Sequence, residues 1–179
     1  MKRIVSLCLV LTCATTLICA GPAWQSVAAD AAKKPGRKAV ERTRKTVRTL
    51  DEVYKRSIVL ITDKYVNDED DFPAGSAAVE LFRQVSEGGS HKVRLIDVSG
   101  EPYDDANVAK DAFEKTGVEK IKAGEAYYDE VVEEDGQYRL RAITAVPVVM
   151  EKCVMCHAHY ADVPKGKAIG AITYSIAIE

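Results

Sequence analysis

The sequence predicts an α+β fold, in which helices pack against a small antiparallel sheet. Apolar residues first recur at helical spacing over a long N-terminal stretch, and later runs alternate apolar and polar residues with the two-residue period of a strand. Two of these later runs flank Asp135-Gly136, a pair that is typical of a tight β-hairpin turn. We therefore expect an N-terminal helical hairpin followed by a sheet with further helices on it.

The N-terminal hairpin consists of two predicted helices. The first covers residues 37–66, with lysines and arginines on one side and an apolar stripe on the other. The stripe contains Val40, Val47, Leu50, Tyr54, Ile58 and Ile61. An acidic run at 67–71 ends this helix, and the second begins near Pro73, because proline suits a first helical turn. Gly88-Gly89 ends the second helix.

A first strand and a third helix follow. Residues 91–98 alternate Val93 and Leu95 with charged neighbours, which favours a strand that a turn at 99–102 closes. Residues 107–122 are predicted to form a helix that is capped near residues 105–107. The apolar residues expected on its inner side are Val108, Ala112, Phe113 and Val118.

The remaining strands flank the cysteine-containing segment. Residues 127–133 and 138–150 should pair antiparallel across the Asp-Gly turn. Pro147 cannot donate a ladder hydrogen bond, so we expect the second run to bend out of the sheet there and lead into a short helical turn. Residues 168–178 alternate again and are predicted to return to the sheet as the last strand.

The motif Cys153-Val154-Met155-Cys156-His157 predicts the chemistry of the protein. Two thiols with two residues between them can add to the vinyl groups of a porphyrin as thioethers, and the histidine that follows is then placed to bind the iron. We therefore expect one covalently attached haem c, held by Cys153 and Cys156, with His157 as the proximal ligand of the iron.

Three other uses of these residues remain open. A thioredoxin-like redox motif normally lies early in a βαβ pattern, whereas this one lies near the C-terminus. A structural zinc site needs four ligands, and the chain offers no second cysteine pair after export. A disulfide between Cys153 and Cys156 is possible in an oxidising compartment, although it would give His157 no role.

The N-terminus predicts export. Residues 1–29 have Lys2 and Arg3, an apolar core and a small-residue cleavage site, as secretory signal peptides do, although a retained membrane anchor is the alternative. Three cysteines fall in this segment: Cys8, Cys13 and Cys19. After cleavage the only cysteines left would be Cys153 and Cys156. The mature chain would consist of a linker at 30–36 and one domain at 37–179. The predicted location is the periplasm or another extracytoplasmic compartment.

The charge excludes one class of partner. Without Lys2 and Arg3, 23 basic residues remain against 27 acidic ones, so no overall positive field attracts nucleic acid. Basic residues concentrate at 33–48, and an acidic run lies at 68–71. Solvated surfaces explain both clusters. The alternative is a docking surface for a redox partner protein or a peripheral contact with an anionic membrane.

The segment 147–170, together with the order of the elements before it, resembles a known family. This is the bacterial single-haem c-type cytochrome domain with a PAS-like sheet, formerly catalogued as a domain of unknown function. The resemblance covers the chain from about Leu50 onward. It implies a PAS-like fold and a role in electron transfer or in redox or ligand sensing. In some relatives an N-terminal cysteine is thought to complete the iron coordination, and this sequence has no such cysteine after cleavage.

The second axial ligand of the iron stays open at this stage. His91 is remote enough in sequence to approach the face opposite His157, although a polar residue at a strand start is the simpler interpretation. His159 is too close to His157 in sequence and is expected at the surface or near a propionate. Met155, between the two cysteines, is expected to serve packing, and a core position is the default for Met150. Tyr54, Lys64 and Tyr65 are weaker candidates, and an open position is also possible.

We expect electron transfer as the function, with gas or redox sensing as the alternative. An electron carrier needs both axial positions filled and a haem edge near a docking surface. A sensor needs an open or displaceable position and an output domain, and no kinase or cyclase is expected within this sequence. An enzyme such as a peroxidase would need a distal acid–base pair, for which only His91 could serve. We therefore do not expect an enzyme.

Overall fold

The computed structural model describes residues 33–68, 72–155, 158–164 and 166–179. The contacts define a compact unit, Ala31–Glu179, that contains every element discussed below. The predicted signal peptide at 1–29, the acidic residues 69–71 and the motif residues Cys156 and His157 lie outside the described residues.

The N-terminal helical hairpin is present as expected. Helix α1 spans Arg37–Tyr65 and helix α2 spans Ala74–Glu87, with Pro73 and Gly88 at the ends of α2. The apolar stripe of α1 faces inward, and the rings of Tyr54 and Phe82 meet edge to face with their centroids 5.1 Å apart. This contact joins the two helices.

Four strands form one antiparallel sheet. Strand β1 is Lys92–Asp97, β2 is Tyr127–Glu134, β3 is Gln137–Pro147 and β4 is Ala168–Ala177, in the spatial order β1-β4-β3-β2. All three pairings are antiparallel. The turn between β2 and β3 has positive φ at both Asp135 and Gly136, as the primed hairpin turns require. The predicted α+β architecture is thus confirmed.

The last strand of the chain, β4, lies inside the sheet and is buried on both faces. Ile172, Tyr174 and Ile176 face the core that α1 and α2 cover. Ala171 faces a second core on the opposite side, which contains Phe113 and is covered by α3, the helix Ala112–Lys122. The sheet is therefore a middle layer between helices, and the return of the chain after the cysteine motif completes both cores.

The third helix begins later than predicted. A 3₁₀ turn at Asp105–Asn107 and an extended segment precede α3, so residues 108–111 are not helical and Val108 is exposed. Asp111 caps α3 by accepting a hydrogen bond from the Glu114 amide at 2.9 Å. Two side chains also form hydrogen bonds with the backbone of the preceding segment: Arg94 donates to the Val108 carbonyl, and Glu114 accepts from the Lys110 amide. These contacts hold the segment extended.

The cysteine segment leaves the sheet at the predicted place. Strand β3 ends at Pro147, with an irregular register between Val146 and Pro147. A short helix, α4, then covers Lys152–Met155, and a 3₁₀ turn at Ala158–Asp162 precedes β4. Among the described residues, no helix is both long enough and apolar enough to span a bilayer.

Candidate cofactor site

A cavity of about 1090 Å³ lies beside the first cysteine of the motif. Small-molecule and cofactor sites typically measure about 300–1,000 Å³, so this cavity has room for a large planar group. Its walls come from α1, α2, β1, the end of β3, α4 and the start of β4. Six apolar residues line it along the sheet and α1: Ile58, Val59, Leu95, Ile96, Val146 and Ile169.

The sheet wall of the cavity is closely packed around Gly170. A Cβ atom at Gly170 would lie 3.3 Å from the Ile96 carbonyl oxygen, so even an alanine there would crowd β1. Ala78 on α2 lines the cavity and is also part of the main core. Residues of the hydrophobic core therefore form part of the cavity wall, and small residues are among them.

Cys153 lines this cavity from the attachment turn, the helix α4. The Cys153 amide donates to the Met150 carbonyl at 3.1 Å, and the Val154 amide donates to the Glu151 carbonyl at 2.9 Å. This turn gives the motif its local shape. Cys156 and His157 lie outside the described residues, so the arrangement of the whole motif stays a prediction.

Tyr160 forms part of the cavity wall near the attachment turn. Burial raises the pKa of its phenol to about 12, and the nearby acidic groups of Asp97 and Cys153 act in the same direction. Tyr160 is therefore a neutral hydrogen-bonding group at neutral pH. The ring of His159 packs edge-on against Tyr160, with centroids 4.5 Å apart, and its Nδ1 atom lies 3.7 Å from the Glu101 carboxylate.

Two lysines from the described part of the chain line the cavity, and both are held by other groups of the protein. The Lys55 ammonium donates to Asp51 at 2.9 Å. Asp51 also accepts hydrogen bonds from Thr144 at 2.5 Å and from the buried Tyr174 at 3.0 Å, so this carboxylate joins α1 to the sheet. The Lys152 ammonium binds backbone carbonyls at the end of α1. Hydrogen bonds thus hold both ammonium groups in place.

Four carboxylates also line the cavity: Glu80, Asp97, Asp104 and Asp105. Among the described lining residues, the acidic groups thus outnumber the two lysines. Asp97 accepts hydrogen bonds from Ser99 and from the Gly100 amide, which fixes the turn after β1 at the cavity wall. An anion bound on this side of the cavity would therefore lie close to carboxylate groups.

The two methionines near the cysteine motif lie at the cavity. Met150 and Met155 both line it, and Met155 is 37% exposed. Three other candidates do not line the cavity. Tyr54 is in the core, Lys64 pairs with Asp63 at the exposed end of α1, and Tyr65 is 72% exposed.

His91 lies at the other end of β1 from the cavity-lining residues Leu95 to Asp97, and it is buried in the core. The Tyr54 hydroxyl is 2.8 Å from its Nε2 atom, and the Ser90 hydroxyl is 2.9 Å from its Nδ1 atom. Both ring nitrogens are thus engaged by protein groups. The structure thus places His91 in the core and away from the cavity, and its role as a distal iron ligand stays a prediction.

The buried position of His91 predicts a pH dependence of stability. Burial lowers the pKa of His91 below its ordinary value of about 6.5, so the unfolded chain takes up the proton first as the pH falls. The stability that the neutral imidazole contributes is present above about pH 6.5 and is lost as the pH falls towards the lower folded-state pKa. His91→Gln should flatten this part of the profile, as measured by urea unfolding between about pH 5 and pH 8.

His159→Gln is the matched control for this measurement. His159 is less buried than His91 and lies beside the Glu101 carboxylate, so its replacement removes an imidazole that the core does not enclose. The variant should keep the decrease in stability at low pH. An equal decrease in the parent and in His91→Gln would show that His91 is not the group responsible.

No group of three or more histidine, cysteine, aspartate or glutamate side chains is arranged to hold a metal ion within the part of the chain that the structure describes. Cys156 and His157 lie outside these residues, so the zinc interpretation of the motif stays open. Cys153 is a free thiol in the structure. Cys153, Met150, Met155 and Tyr160 are among the described residues that line the cavity.

Two comparisons relate the chain to known proteins. A family model described as Tll0287-like matches residues 30–174. The crystal structure of the cyanobacterial heme-protein Tll0287 is similar to this one with a TM-score of 0.52 and 10% sequence identity, over 80% of this chain and 97% of that chain. At this identity the structural likeness establishes the fold alone. No curated protein matches the sequence.

Proposed function

We propose that this chain, which belongs to the Tll0287-like family, is an exported c-type haem protein that transfers electrons outside the cytoplasm. The family match over residues 30–174 confirms the resemblance drawn from the sequence. The observation that carries the proposal is the position of Cys153, whose attachment turn borders a cavity large enough for a porphyrin.

The residues present fit a haem. In the proposed site Cys153 and Cys156 would form the thioethers, and His157 would bind the iron. The apolar walls of α1, β1 and β4 would enclose the macrocycle, and the similar fold of a cyanobacterial heme-protein supports this use of the cavity. When bound, a haem supplies a one-electron couple at its iron.

Electron transfer is favoured by two features of the cavity. Its walls are helices and strands held by fixed contacts, such as those that Asp51 makes with β3 and β4, so little rearrangement is expected when a charge changes. Val149, which precedes the attachment turn, and Met155, the last residue of that turn, are 58% and 37% exposed. A macrocycle attached there would have an edge close to the surface, where a redox partner can approach.

A specific observation supports sensing as a second candidate. The described residues that line the cavity include no histidine, and both lining lysines are already paired. If Met150 does not reach the iron, the sixth position would be open to a small ligand such as carbon monoxide.

Export and the partner belong to the same proposal. The signal-like segment 1–29 and the cysteine motif together favour attachment in the periplasm, where bacteria mature c-type haem. The partner expected is a redox protein rather than a nucleic acid. Cytoplasmic expression of residues 30–179 without a maturation system should yield protein that carries no covalent haem.

An absorption spectrum of the purified exported protein tests the function. Low-spin bands in both oxidation states that do not respond to carbon monoxide would support electron transfer. Rapid binding of carbon monoxide would replace this proposal with sensing. A haem that is extracted completely by acid acetone, or a chain mass without an added haem, would overturn both.

A further inference from the structure

The helix α1 ends with carbonyl groups that its own backbone cannot satisfy. The last residue of the helix is Tyr65, and Val66 follows it in an extended conformation. The final four carbonyls of an α-helix have no partner within the helix, and together they form its negative end. Many helices meet this need with a C-terminal glycine or with a basic side chain from their own last turn.

In this chain a distant residue meets that need. The Lys152 ammonium donates to the Asp63 carbonyl at 2.9 Å and to the Val66 carbonyl at 2.6 Å. Lys64, which is the basic residue of the last turn, extends to the side chain of Asp63 instead and is largely exposed. Lys152 is thus the C-terminal cap of α1, although it lies in a different part of the sequence.

Lys152 also directly precedes Cys153 and is the first residue of the attachment turn. Both residues line the cavity, as do Thr62 and Val66 from the end of α1. The ammonium therefore joins the turn that would hold the haem to the helix that forms another part of the wall. Any movement of the turn away from α1 would break two charge-assisted hydrogen bonds.

We propose that Lys152 is a positioning residue for the attached haem: it fixes the attachment turn against the C-terminal end of α1. This inference rests on the proposed haem attachment at Cys153. It goes beyond attachment because it makes the orientation of the haem depend on α1. A displacement of the haem would accordingly move the attachment turn, and through Lys152 it would alter the last turn of α1.

The test uses the exported protein with its haem and three variants. Lys152→Met removes the ammonium at similar length, Lys152→Arg keeps a charged donor, and Lys64→Met removes an exposed ammonium from the same end of α1 without touching the attachment turn. The readouts are the circular dichroism of the haem bands, the reduction potential and the hydrogen exchange of the amides at 62–66.

Lys152→Met should alter the haem dichroism, shift the potential and speed exchange at the end of α1 by at least about tenfold, because two charge-assisted hydrogen bonds are lost. Lys152→Arg should restore most of the parent behaviour, and Lys64→Met should resemble the parent. Unchanged haem signals in Lys152→Met would overturn the proposal, as would an equal change in Lys64→Met.

A second measurement needs no variant. Brief acetylation of the parent protein, followed by peptide mass analysis, should modify Lys152 at least about tenfold more slowly than Lys64, because two carbonyls hold the Lys152 amine. Equal rates would contradict the cap. Haem content, measured by mass in each sample, separates the two proposals, because haem-free protein would refute attachment while the acetylation rates still report on Lys152.

Discussion

Replacing both Cys153 and Cys156 by alanine is expected to abolish acid-stable haem retention. Without either thiol no thioether can form, so any haem that enters the cavity is held only by packing and by coordination. Acid acetone should then remove all colour, and the chain mass should match the mature sequence without an added haem. The expected change is from full covalent occupancy to none, the largest effect predicted for this protein.

Val154→Ala is the matched control for this double variant. Val154 lies between the cysteines and is half-buried in the attachment turn, but it has no thiol. Its replacement should leave the haem covalently attached. Covalent haem in the double variant would refute the assignment of the motif, and loss of haem in Val154→Ala as well would show that the assay reports on maturation rather than on the thiols.

Glu114→Ala is expected to cause a large loss of stability. Glu114 is 3% exposed, and its carboxylate accepts hydrogen bonds from Arg94 at 2.5 Å and from the Lys110 amide at 2.7 Å, with Arg141 at 3.9 Å. Removing the buried carboxylate leaves Arg94, whose side chain is 28% exposed, without its ion pair and the Lys110 amide without its acceptor, which costs about 2–4 kcal/mol. For a domain of this size the melting temperature should fall by about 4–16 °C.

Arg94 also connects this ion pair to the cavity. It also donates to the Ala106 and Val108 carbonyls, both at 2.9 Å, and so holds the turn whose residues Asp105 and Asn107 line the cavity. Thermal and urea unfolding measure the loss. Glu119→Ala, on the exposed side of the same helix, should change the free energy of unfolding by no more than about 0.5 kcal/mol. A similar loss in both variants would contradict the role of the ion pair.

The helical hairpin and the β2–β3 hairpin could be predicted from the sequence because each depends on local rules. The apolar spacing of α1 matches the helical period, and Pro73 and Gly88 limit α2 for reasons of backbone geometry. Asp135 and Gly136 tolerate positive φ, which fixes the hairpin. The position of Pro147 at the end of β3 follows from its missing amide hydrogen.

The start of α3 could not be predicted, because long-range contacts decide it. Arg94 donates a hydrogen bond to the Val108 carbonyl, and Glu114 accepts one from the Lys110 amide, so these backbone groups are not available to a helix. No local sequence pattern predicts these hydrogen bonds, because Arg94 lies on β1. The observed cap, Asp111, is one of several acidic residues nearby. The burial of β4 on both faces also depends on helices from distant parts of the chain.

For the site, the sequence by itself supplies a prediction of the chemistry: the spacing of Cys153, Cys156 and His157 predicts covalent haem, because thioether formation depends on local geometry. Only the tertiary structure decided what surrounds that motif. It brings α1, α2 and β4 together around the cavity beside Cys153, places His91 in the core with Tyr54, and joins Lys152 to the end of α1. The physical reason is that such contacts join residues far apart in the sequence, 37 positions for Tyr54 and His91 and 89 for Lys152 and Asp63. Their meeting therefore depends on the packing of the whole fold.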